Sequence, residues 1–291
     1  MSAKSPPQDI VTAIADARAT LSPKMAGIAD YAMASPEQFI RNTSREICAA
    51  LNTSEPTLIK FCQTFGYAGL SDFRIDFALA LARQGSAKGF VEPLANDRRQ
   101  VNLAAKQQIA QRAAQFVRND QSLLIDNGST AETFALALDE VPALTIMTNG
   151  IWVAQNALSH GQHTVMLTGG QIRPNAMSMA GRMVETSIGQ MHFDTFVMGT
   201  ASVDPSHGLS TFLEDEAHIT RFMMKAARRV IVLADSTKFR KSALHRICDM
   251  DQVDIIVTDL APGDPDFATI AGQGITMVST QAPDEVSREI A

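Results

Sequence analysis

The sequence predicts two domains of different class: an N-terminal all-α helix-turn-helix bundle and a C-terminal, mostly parallel α/β sheet domain. Three observations predict this organisation. Residues 9–84 carry apolar side chains at helical spacing, as at Ile10 and Ile14, without a convincing strand. From about Val101, short β-rich runs alternate with amphipathic helical stretches, which is typical of a parallel sheet covered by helices. The length of 291 residues suits two separate cores.

The change of pattern sets the predicted boundaries. Residues 1–84 form the helical domain, 85–100 a linker rich in glycine, serine and mixed charge, and 101–291 the α/β domain. The predicted strands of the second domain are Ser122–Ile125, Leu144–Met147, His163–Leu167, Thr195–Met198, Arg229–Leu233, Asp254–Val257 and Ile275–Val278. Predicted helices between them cover 104–117, 130–139, 150–159 and 215–228.

Composition and charge exclude several classes of protein. No apolar run approaches the roughly 20 residues of a membrane span, and the N-terminus lacks an apolar signal-peptide core, so we expect a cytoplasmic protein without a membrane partner. The net charge of −6 argues against nonspecific coating of nucleic acid. The acidity is concentrated after residue 99, where 21 acidic residues outnumber 14 basic ones. Residues 1–99 contain 10 acidic and 11 basic residues and are therefore almost neutral. A local basic face on the first domain is therefore compatible with the charge.

The cysteines and histidines predict neither a metal site nor a cofactor. The three cysteines lack metal-ligand spacing, and Cys48 and Cys62 stand in apolar helical contexts that favour buried thiols. The six histidines include no HxxxH-like pair with a carboxylate on one helix. We therefore expect no metal and no cofactor.

Two helices joined by a short turn have the dimensions of a DNA-reading helix-turn-helix. The helices are predicted over Ser44–Leu51 and Ser54–Thr64. The second helix of such a pair presents its N-terminal residues to base edges, while the first lies across the backbone. The predicted contacts to double-stranded DNA are Thr43, Ser44, Arg45, Thr53, Ser54, Glu55, Pro56, Thr57 and Lys60. A helical hairpin that never touches DNA has the same spacing, so spacing alone leaves that alternative open.

Particular strings support DNA binding. Ser54-Glu55-Pro56-Thr57, Phe61-Cys62 and Phe65-Gly66-Tyr67 occur in an order that resembles the DNA-binding domain of the RpiR family, over about residues 10–84. The resemblance implies a helical bundle that binds palindromic operator DNA as a homodimer or homotetramer. The sequence departs from the family at Pro56, where a small residue is usual. Proline is tolerated there because a first helical turn loses no intrahelical amide bond.

Polar and glycine-rich turns follow five of the predicted strands. Residues 123–130 read as a buried strand, a tight loop and a helix N-terminus, which suits an anion because amides and the helix dipole converge there. Ligands of open α/β sheets bind beyond the carboxyl ends of strands. Lys238 is predicted to neutralise a phosphate, although strand-glycine-helix turns are common and Asp235 has the alternative of capping the next turn. The predicted effector-binding residues are Asp126, Asn127, Gly128, Ser129, Thr130, Thr148, Asn149, Gly169, Gly170, Asp204, Asp235 and Lys238.

The same turns resemble the C-terminal sensor domain of the DeoR family, over about residues 101–260. The matching motifs include Asp126-x-Gly128-Ser129-Thr130, Thr148-Asn149, Gly169-Gly170 and Ala234-Asp235-Ser236-x-Lys238-Phe239. The resemblance implies a fold of the ribose-5-phosphate-isomerase type and a phosphorylated sugar or related metabolite as effector. With the helical domain, it implies a transcriptional regulator, by family habit a repressor, of a carbohydrate catabolic operon.

Two alternatives remain at this point. The first is a sugar-phosphate isomerase-like enzyme with an accessory helical domain, which needs a carboxylate base and a nearby lysine. A gapless alignment places Thr220 and Thr211 at those positions, so we predict no catalytic residue; Thr220 also differs from the lysine usual in DeoR-type sensors. Glu214, Asp215 and Glu216 offer a displaced base, but a solvated helix N-terminus explains them equally well. The second alternative is a DNA-binding protein whose pocket is vestigial.

Overall fold

The chain divides into two compact units, Met1–Val101 and Asn102–Ala291. The structure is a computed structural model that describes residues 6–7, 9–84, 90–239 and 242–282. The first unit is helical and the second contains a seven-stranded parallel sheet with helices, so the predicted fold class is confirmed. Within the described residues, no helix has the length and apolarity needed to cross a bilayer.

The N-terminal unit is a bundle of short helices around an aromatic core. Its helices are α1 (Ile10–Ala17), α2 (Pro23–Ala34), α3 (Pro36–Arg41), α4 (Ser44–Ala50), α5 (Glu55–Thr64), α6 (Leu70–Arg83) and α7 (Ala95–Gln100). Phe39, Phe61, Phe73 and Phe77 are fully buried, and Phe73 packs against the other three rings. Proline occupies the first turn of α2, α3 and α5, where its missing N–H breaks no helical hydrogen bond.

A buried ion pair attaches α7 to α6. Arg74 of α6 contacts Asp97 of α7 with an N–O distance of 3.2 Å, and both side chains are almost inaccessible to solvent. Helix α7 lies in the segment 85–100, which the sequence assigned to a linker, yet it packs as part of the first unit. Residues 85–89 of that predicted linker lie outside the described residues.

The C-terminal unit is built on a parallel sheet in the strand order β12-β11-β9-β6-β1-β2-β3. These strands are β1 (Ser122–Ile125), β2 (Thr145–Thr148), β3 (Thr164–Leu167), β6 (Phe193–Gly199), β9 (Ala227–Leu233), β11 (Ile255–Thr258) and β12 (Thr276–Ser279). Each overlaps one of the seven predicted β-rich runs. Side chains alternate between two cores, so that Leu124 packs on one face while Leu123 and Ile125 pack on the other.

Helices cover both faces of this sheet. They are α8 (Leu103–Ala114), α9 (Ser129–Leu136), α10 (Ile151–Leu158), α11 (Arg182–Ile188), α12 (Glu214–Lys225) and α13 (Pro265–Ala271). Ile109, Phe134 and Val153 of α8, α9 and α10 bury into one core, whereas Val184 and Met223 of α11 and α12 bury into the other. This sandwich leaves the carboxyl ends of the parallel strands facing one edge of the unit.

Two small antiparallel sheets complete the second unit. A hairpin pairs β4 (Gln171–Arg173) with β5 (Ser178–Ala180), and a three-stranded sheet has the order β10 (His245–Cys248), β8 (Gly208–Thr211), β7 (Ser202–Asp204). The sequence did not predict these strands, because they are short and lack the consecutive apolar residues that mark the strands of the parallel sheet.

Candidate functional site

The helix-turn-helix begins with a reciprocal cap at Thr43. Its hydroxyl oxygen accepts a hydrogen bond from the Glu46 amide at 3.2 Å, and its own amide donates to the Glu46 carboxylate at 2.7 Å. The hydrogen bonds from Thr43 hold the pKa of Glu46 below its usual value. This arrangement fixes the start of α4, where a DNA-backbone phosphate is predicted to lie.

The turn between α4 and α5 is held by local geometry and by packing. Asn52 adopts a left-handed conformation with φ of 45°, which asparagine tolerates better than most residues. Ile47 and Leu58 are buried between the helices. Cys62 is also buried, and burial raises the pKa of its thiol to about 12, so it acts as a packing residue.

The outer face of the helix pair contains the predicted DNA contacts. The exposed ones are Thr43, Arg45, Ser54, Glu55, Pro56 and Lys60, and the half-buried ones are Ser44, Thr53 and Thr57. Ser44 Oγ donates to Glu55 Oε1 at 2.5 Å, which ties the two helices together at this face. The hydroxyls of Ser54 and Thr57 lie 2.9 Å apart. The arrangement is accessible to a duplex, and contact with DNA remains a prediction.

The predicted phosphate loop follows β1 and opens α9. Gly128 precedes the helix with φ of 120°, a conformation that a side chain would strain, and no side chain caps the helix there. Ser129 is half-buried and Thr130 is buried at the first turn. The first amides of α9 therefore have no side-chain cap, as an anion-binding helix N-terminus requires.

The loops after β1 and β2 lie in contact. Asn149 Nδ2 donates to Asn127 Oδ1 at 3.4 Å, and a Cβ at Gly150 would lie 3.2 Å from the Asn127 Cα. Thr148 is buried, and its hydroxyl accepts a hydrogen bond from the Gly150 amide at 3.0 Å. Asn149 Oδ1 is buried and has no hydrogen-bond donor among the described residues. An unsatisfied buried acceptor of this kind is suited to a ligand hydroxyl.

Asp126 forms an acidic cluster with residues that the sequence did not assign to the site. Burial raises the pKa of Asp126 to about 7, and the nearby Glu216 adds to the rise, while the Asn127 amide and Arg173 oppose it. Arg173 lies 3.6 Å from Glu216, and Thr211 Oγ1 donates to Glu216 Oε2 at 2.7 Å. Glu216 thus contacts Arg173 and Thr211 from the first turn of α12, so solvation of a helix N-terminus does not by itself account for it.

The glycines after β3 allow the β4–β5 hairpin to pack closely. A Cβ at Gly170 would lie 2.6 Å from the Ala180 carbonyl oxygen, and the φ of Gly170 is 117°. The Met179 amide also donates to the Asn149 carbonyl at 2.7 Å. Gly170 therefore lets the chain pass close to the hairpin that carries Arg173, and contact of Gly169 and Gly170 with an effector stays a prediction.

Asp235 is engaged by neighbours at the end of β9. It accepts hydrogen bonds from the Thr237 amide at 3.1 Å and from Asn102 Nδ2 at 3.2 Å. Burial acts to raise the pKa of Asp235, but the charges of Lys238 and Lys106 and the Thr237 hydrogen bonds outweigh it, so the pKa is lowered. Asp235 therefore caps the turn that follows it, which was the alternative considered for this residue. Lys238 is also close enough for its charge to lower the pKa of the Asp235 carboxylate.

Asp204 has contacts of a different kind. It lies on β7 in the three-stranded sheet and accepts from the Ser206 amide at 3.0 Å and the Ser242 hydroxyl at 3.0 Å. These contacts do not connect Asp204 to the other predicted effector residues.

A cleft between α12 and the amino-terminal end of β9 lies at the opposite edge of the sheet. None of the predicted effector residues lines this cleft.

Three residues near the predicted site were not found from the sequence: Asn102, Lys106 and Arg173. Arg173 stands three positions after Gly170, so a motif extended past the glycine pair would have included it. Lys106 is buried on α8 near Asp235, and its position in the helical pattern does not predict that neighbour. Asn102 reaches Asp235 across 133 residues of sequence, a distance at which spacing gives no signal.

Comparison with known proteins assigns both units. The DeoR C terminal sensor domain matches residues 101–260. The chain belongs to the DeoR family. Residues 8–84 of this DeoR-family chain match the helix-turn-helix domain of the rpiR family, so both resemblances are confirmed.

Relatives of the DeoR-family chain are named as repressors. It is 34% identical over 169 residues to a protein named as an aga operon transcriptional repressor of Escherichia coli O157:H7, covering 58% of this chain and 63% of that one. It is 28% identical over 167 residues to the glycerol-3-phosphate regulon repressor of Escherichia coli K12, covering 57% and 66%. The matched region thus spans less than two thirds of the length of each of these two relatives.

Solved structures also align with part of the DeoR-family chain. Ribose 5-phosphate isomerase A of Methanocaldococcus jannaschii aligns at 16% identity and a TM-score of 0.36, covering 48% of this chain and 56% of that one. The enzyme of Neisseria gonorrhoeae aligns at 14% identity and a TM-score of 0.35, covering 47% and 53%. Alignments at these scores carry no conclusion about function.

Proposed function

We propose that this chain is a DNA-binding transcriptional repressor of a carbohydrate catabolic operon, controlled by a phosphorylated sugar or related metabolite. The observation that carries the proposal is the presence, in one chain, of an rpiR-type helix-turn-helix and a DeoR sensor domain. The names of the relatives support a repressor, and the glycerol-3-phosphate regulon repressor among them supports a phosphorylated effector.

The DNA-reading part of the proposal uses the exposed face of α5. Two copies of α5 in a homodimer or homotetramer would occupy successive major grooves of a palindromic operator. Lys60 is exposed on α5 and suits a guanine edge or a phosphate. Arg45 and the capped start of α4 suit the backbone, where phosphate contacts position the protein without reading sequence.

The sensing part of the proposal places the phosphoryl group against the first turn of α9. The amides from Gly128 to Thr130 lie where the helix dipole favours an anion, and Lys238 supplies a point charge. The sugar hydroxyls would meet the acceptors of Asn149 and Asp126. Regulation requires that the ligand bind one arrangement of the protomers more tightly than another. A ligand with equal affinity for both arrangements would not change the equilibrium between them.

We propose no catalytic role for this site. Isomerase chemistry of this kind needs a carboxylate base and a lysine, and the aligned positions hold Thr220 and Thr211. Both threonines are buried, and Thr211 is hydrogen-bonded to Glu216. Near neutral pH a threonine hydroxyl can replace neither the carboxylate base at position 220 nor the charged lysine at position 211.

Replacement of Lys60 by alanine tests the DNA-reading face. A binding site is first selected from a random duplex pool with the full-length protein, and affinity for the selected duplex is measured by fluorescence anisotropy. We expect Lys60→Ala to weaken binding by about 1–3 kcal/mol if the lysine contacts a base, because a bidentate base contact contributes that much discrimination. A pure phosphate contact would instead weaken all duplexes alike and reduce the salt dependence of binding.

The matched control is Lys225→Ala, which removes the same charge from an exposed position on α12 of the sensor unit. It is expected to leave affinity unchanged. Failure of the wild-type protein to enrich any duplex would contradict the proposed function itself. Enrichment with equal affinities for wild type and Lys60→Ala would remove Lys60 from the DNA-reading surface while leaving the function standing.

A further inference from the structure

The recognition helix exposes an apolar side chain that the proposed DNA contacts do not use. Among the described residues of the N-terminal unit, Met33 and Ile59 are the most exposed large apolar side chains, at 40% and 41%. Leu58 and Phe61, the nearest apolar residues on the same helix, are 1% and 0% exposed. The core of the unit therefore does not explain why position 59 carries isoleucine.

Helical spacing places Ile59 at the edge of the outer face of α5. It stands three residues after Pro56, four before Gln63 and next to Lys60, and all three neighbours are exposed. The buried face consists of Leu58, Phe61 and Cys62, and Ile59, three residues before Cys62, lies at the border between that face and the exposed one. Ile59 thus lies at the edge of the surface that would face the major groove when α5 lies in it.

The chemistry of the groove restricts what an exposed isoleucine can recognise. Base edges in the major groove present hydrogen-bond donors and acceptors, and thymine alone adds an apolar group, its 5-methyl. An isoleucine side chain offers no hydrogen bond, so its favourable partner there is that methyl group, whose contact removes apolar surface from water.

We propose that Ile59 is a specificity-determining residue that reads the 5-methyl group of a thymine beside the base pair contacted by Lys60. This inference rests on the proposed function, because it requires α5 to enter the major groove. It adds a base preference that the polar residues of the helix cannot provide. A second copy of this chain is the other candidate partner for the side chain, and the experiment separates the two.

The experiment replaces thymines of the selected duplex one at a time by deoxyuridine, which keeps base pairing and removes only the methyl group. We expect wild-type affinity to fall about three- to tenfold at one thymine in each half-site, on the scale expected for burial of one or two apolar groups. Ile59→Ala is expected to lose a similar factor on the unmodified duplex and to become indifferent to deoxyuridine at that same position. Met33→Ala is the matched control and should keep the full sensitivity of the wild type.

Three outcomes would overturn the inference. The first is equal sensitivity of wild type and Ile59→Ala to deoxyuridine at every thymine, with DNA binding intact; this rejects the role of Ile59 and leaves the proposed function standing. The second is a uniform loss of affinity in Ile59→Ala with a change in oligomeric state by sedimentation, which assigns the side chain to an interface between copies. The third is failure of the wild type to select any duplex, which rejects both proposals.

Discussion

Replacing Arg74 with methionine is expected to destabilise the N-terminal unit by about 3–5 kcal/mol, because removal of one partner leaves the other charge buried and unpaired. Arg74 is 2% exposed and contacts Asp97 at 3.2 Å. It also donates to the Phe39 carbonyl at 3.1 Å and to the Asn42 carbonyl, which directly precedes the capping residue Thr43. The variant therefore loses the ion pair and leaves two carbonyl groups without this donor.

Urea denaturation measured by circular dichroism tests this expectation in the full-length protein. Trp152 is the sole tryptophan and lies on α10 of the sensor unit, so its fluorescence reports that unit separately. We expect Arg74→Met to shift the helical transition and to leave the Trp152 transition in place. Arg18→Met removes an arginine from an exposed pair with Asp30, at 49% and 56% exposure, and should leave the helical transition almost unchanged. Equal effects of the two variants would contradict the structural account of Arg74.

Replacing Asp126 with asparagine is expected to stabilise the sensor unit at alkaline pH by up to about 4 kcal/mol, because the wild type must then hold a buried charged carboxylate. Burial raises the pKa of Asp126 from the usual 3.8 to about 7. The folded state therefore binds a proton more tightly than the unfolded state, and the wild type loses stability as the pH rises from about 4 to about 7. Asparagine keeps the acceptor for the Asn127 amide without this ionisation.

The measurement is urea denaturation of the wild type and Asp126→Asn, followed by Trp152 fluorescence at several pH values. The difference in free energy of unfolding should favour the variant most above about pH 7 and shrink as the pH falls towards about 4. Working with the difference cancels the titration of groups that do not interact with Asp126. A difference that does not vary with pH would show that Asp126 titrates near its usual pKa and is more hydrated than the structure indicates.

The main framework of the fold could be predicted because local patterns determine it. The run Ser122–Ile125 is mostly apolar and bounded by polar turns, and it forms β1, an interior strand of the sheet. The residue types from Asp126 to Thr130 are enough to predict the end of a strand, a glycine turn and the start of a helix. The proline and serine starts of α2 and α3 likewise follow from the chemistry of a first helical turn.

Long-range contacts were beyond the reach of such patterns. An arginine within an amphipathic helix is normally exposed, and Arg74 is buried only because α3 supplies carbonyl groups and Asp97 supplies a charge 23 residues away. Arg173 and Glu216 meet near Asp126 because the β4–β5 hairpin folds back over the strand ends, a path set by tertiary packing. The residues that shape the electrostatics of the candidate site therefore had to come from the structure.

A thermal-shift titration, read by Trp152 fluorescence, tests the central claim that the sensor unit holds a phosphorylated sugar at the first turn of α9. Aldose and ketose phosphates are compared with their unphosphorylated parents on the wild type, on Ser129→Ala/Lys238→Ala and on the control Ser206→Ala/Lys225→Ala. At 100 times its dissociation constant, a ligand of the native state adds about 2.7 kcal/mol, which raises Tm by roughly 5–10 °C.

We predict that at least one phosphorylated sugar raises the Tm of the wild type and the control, that its parent sugar does not, and that the Ser129→Ala/Lys238→Ala protein fails to respond. A phosphorylated sugar that stabilises all three proteins equally, or a full panel without effect on the wild type, would contradict the claim.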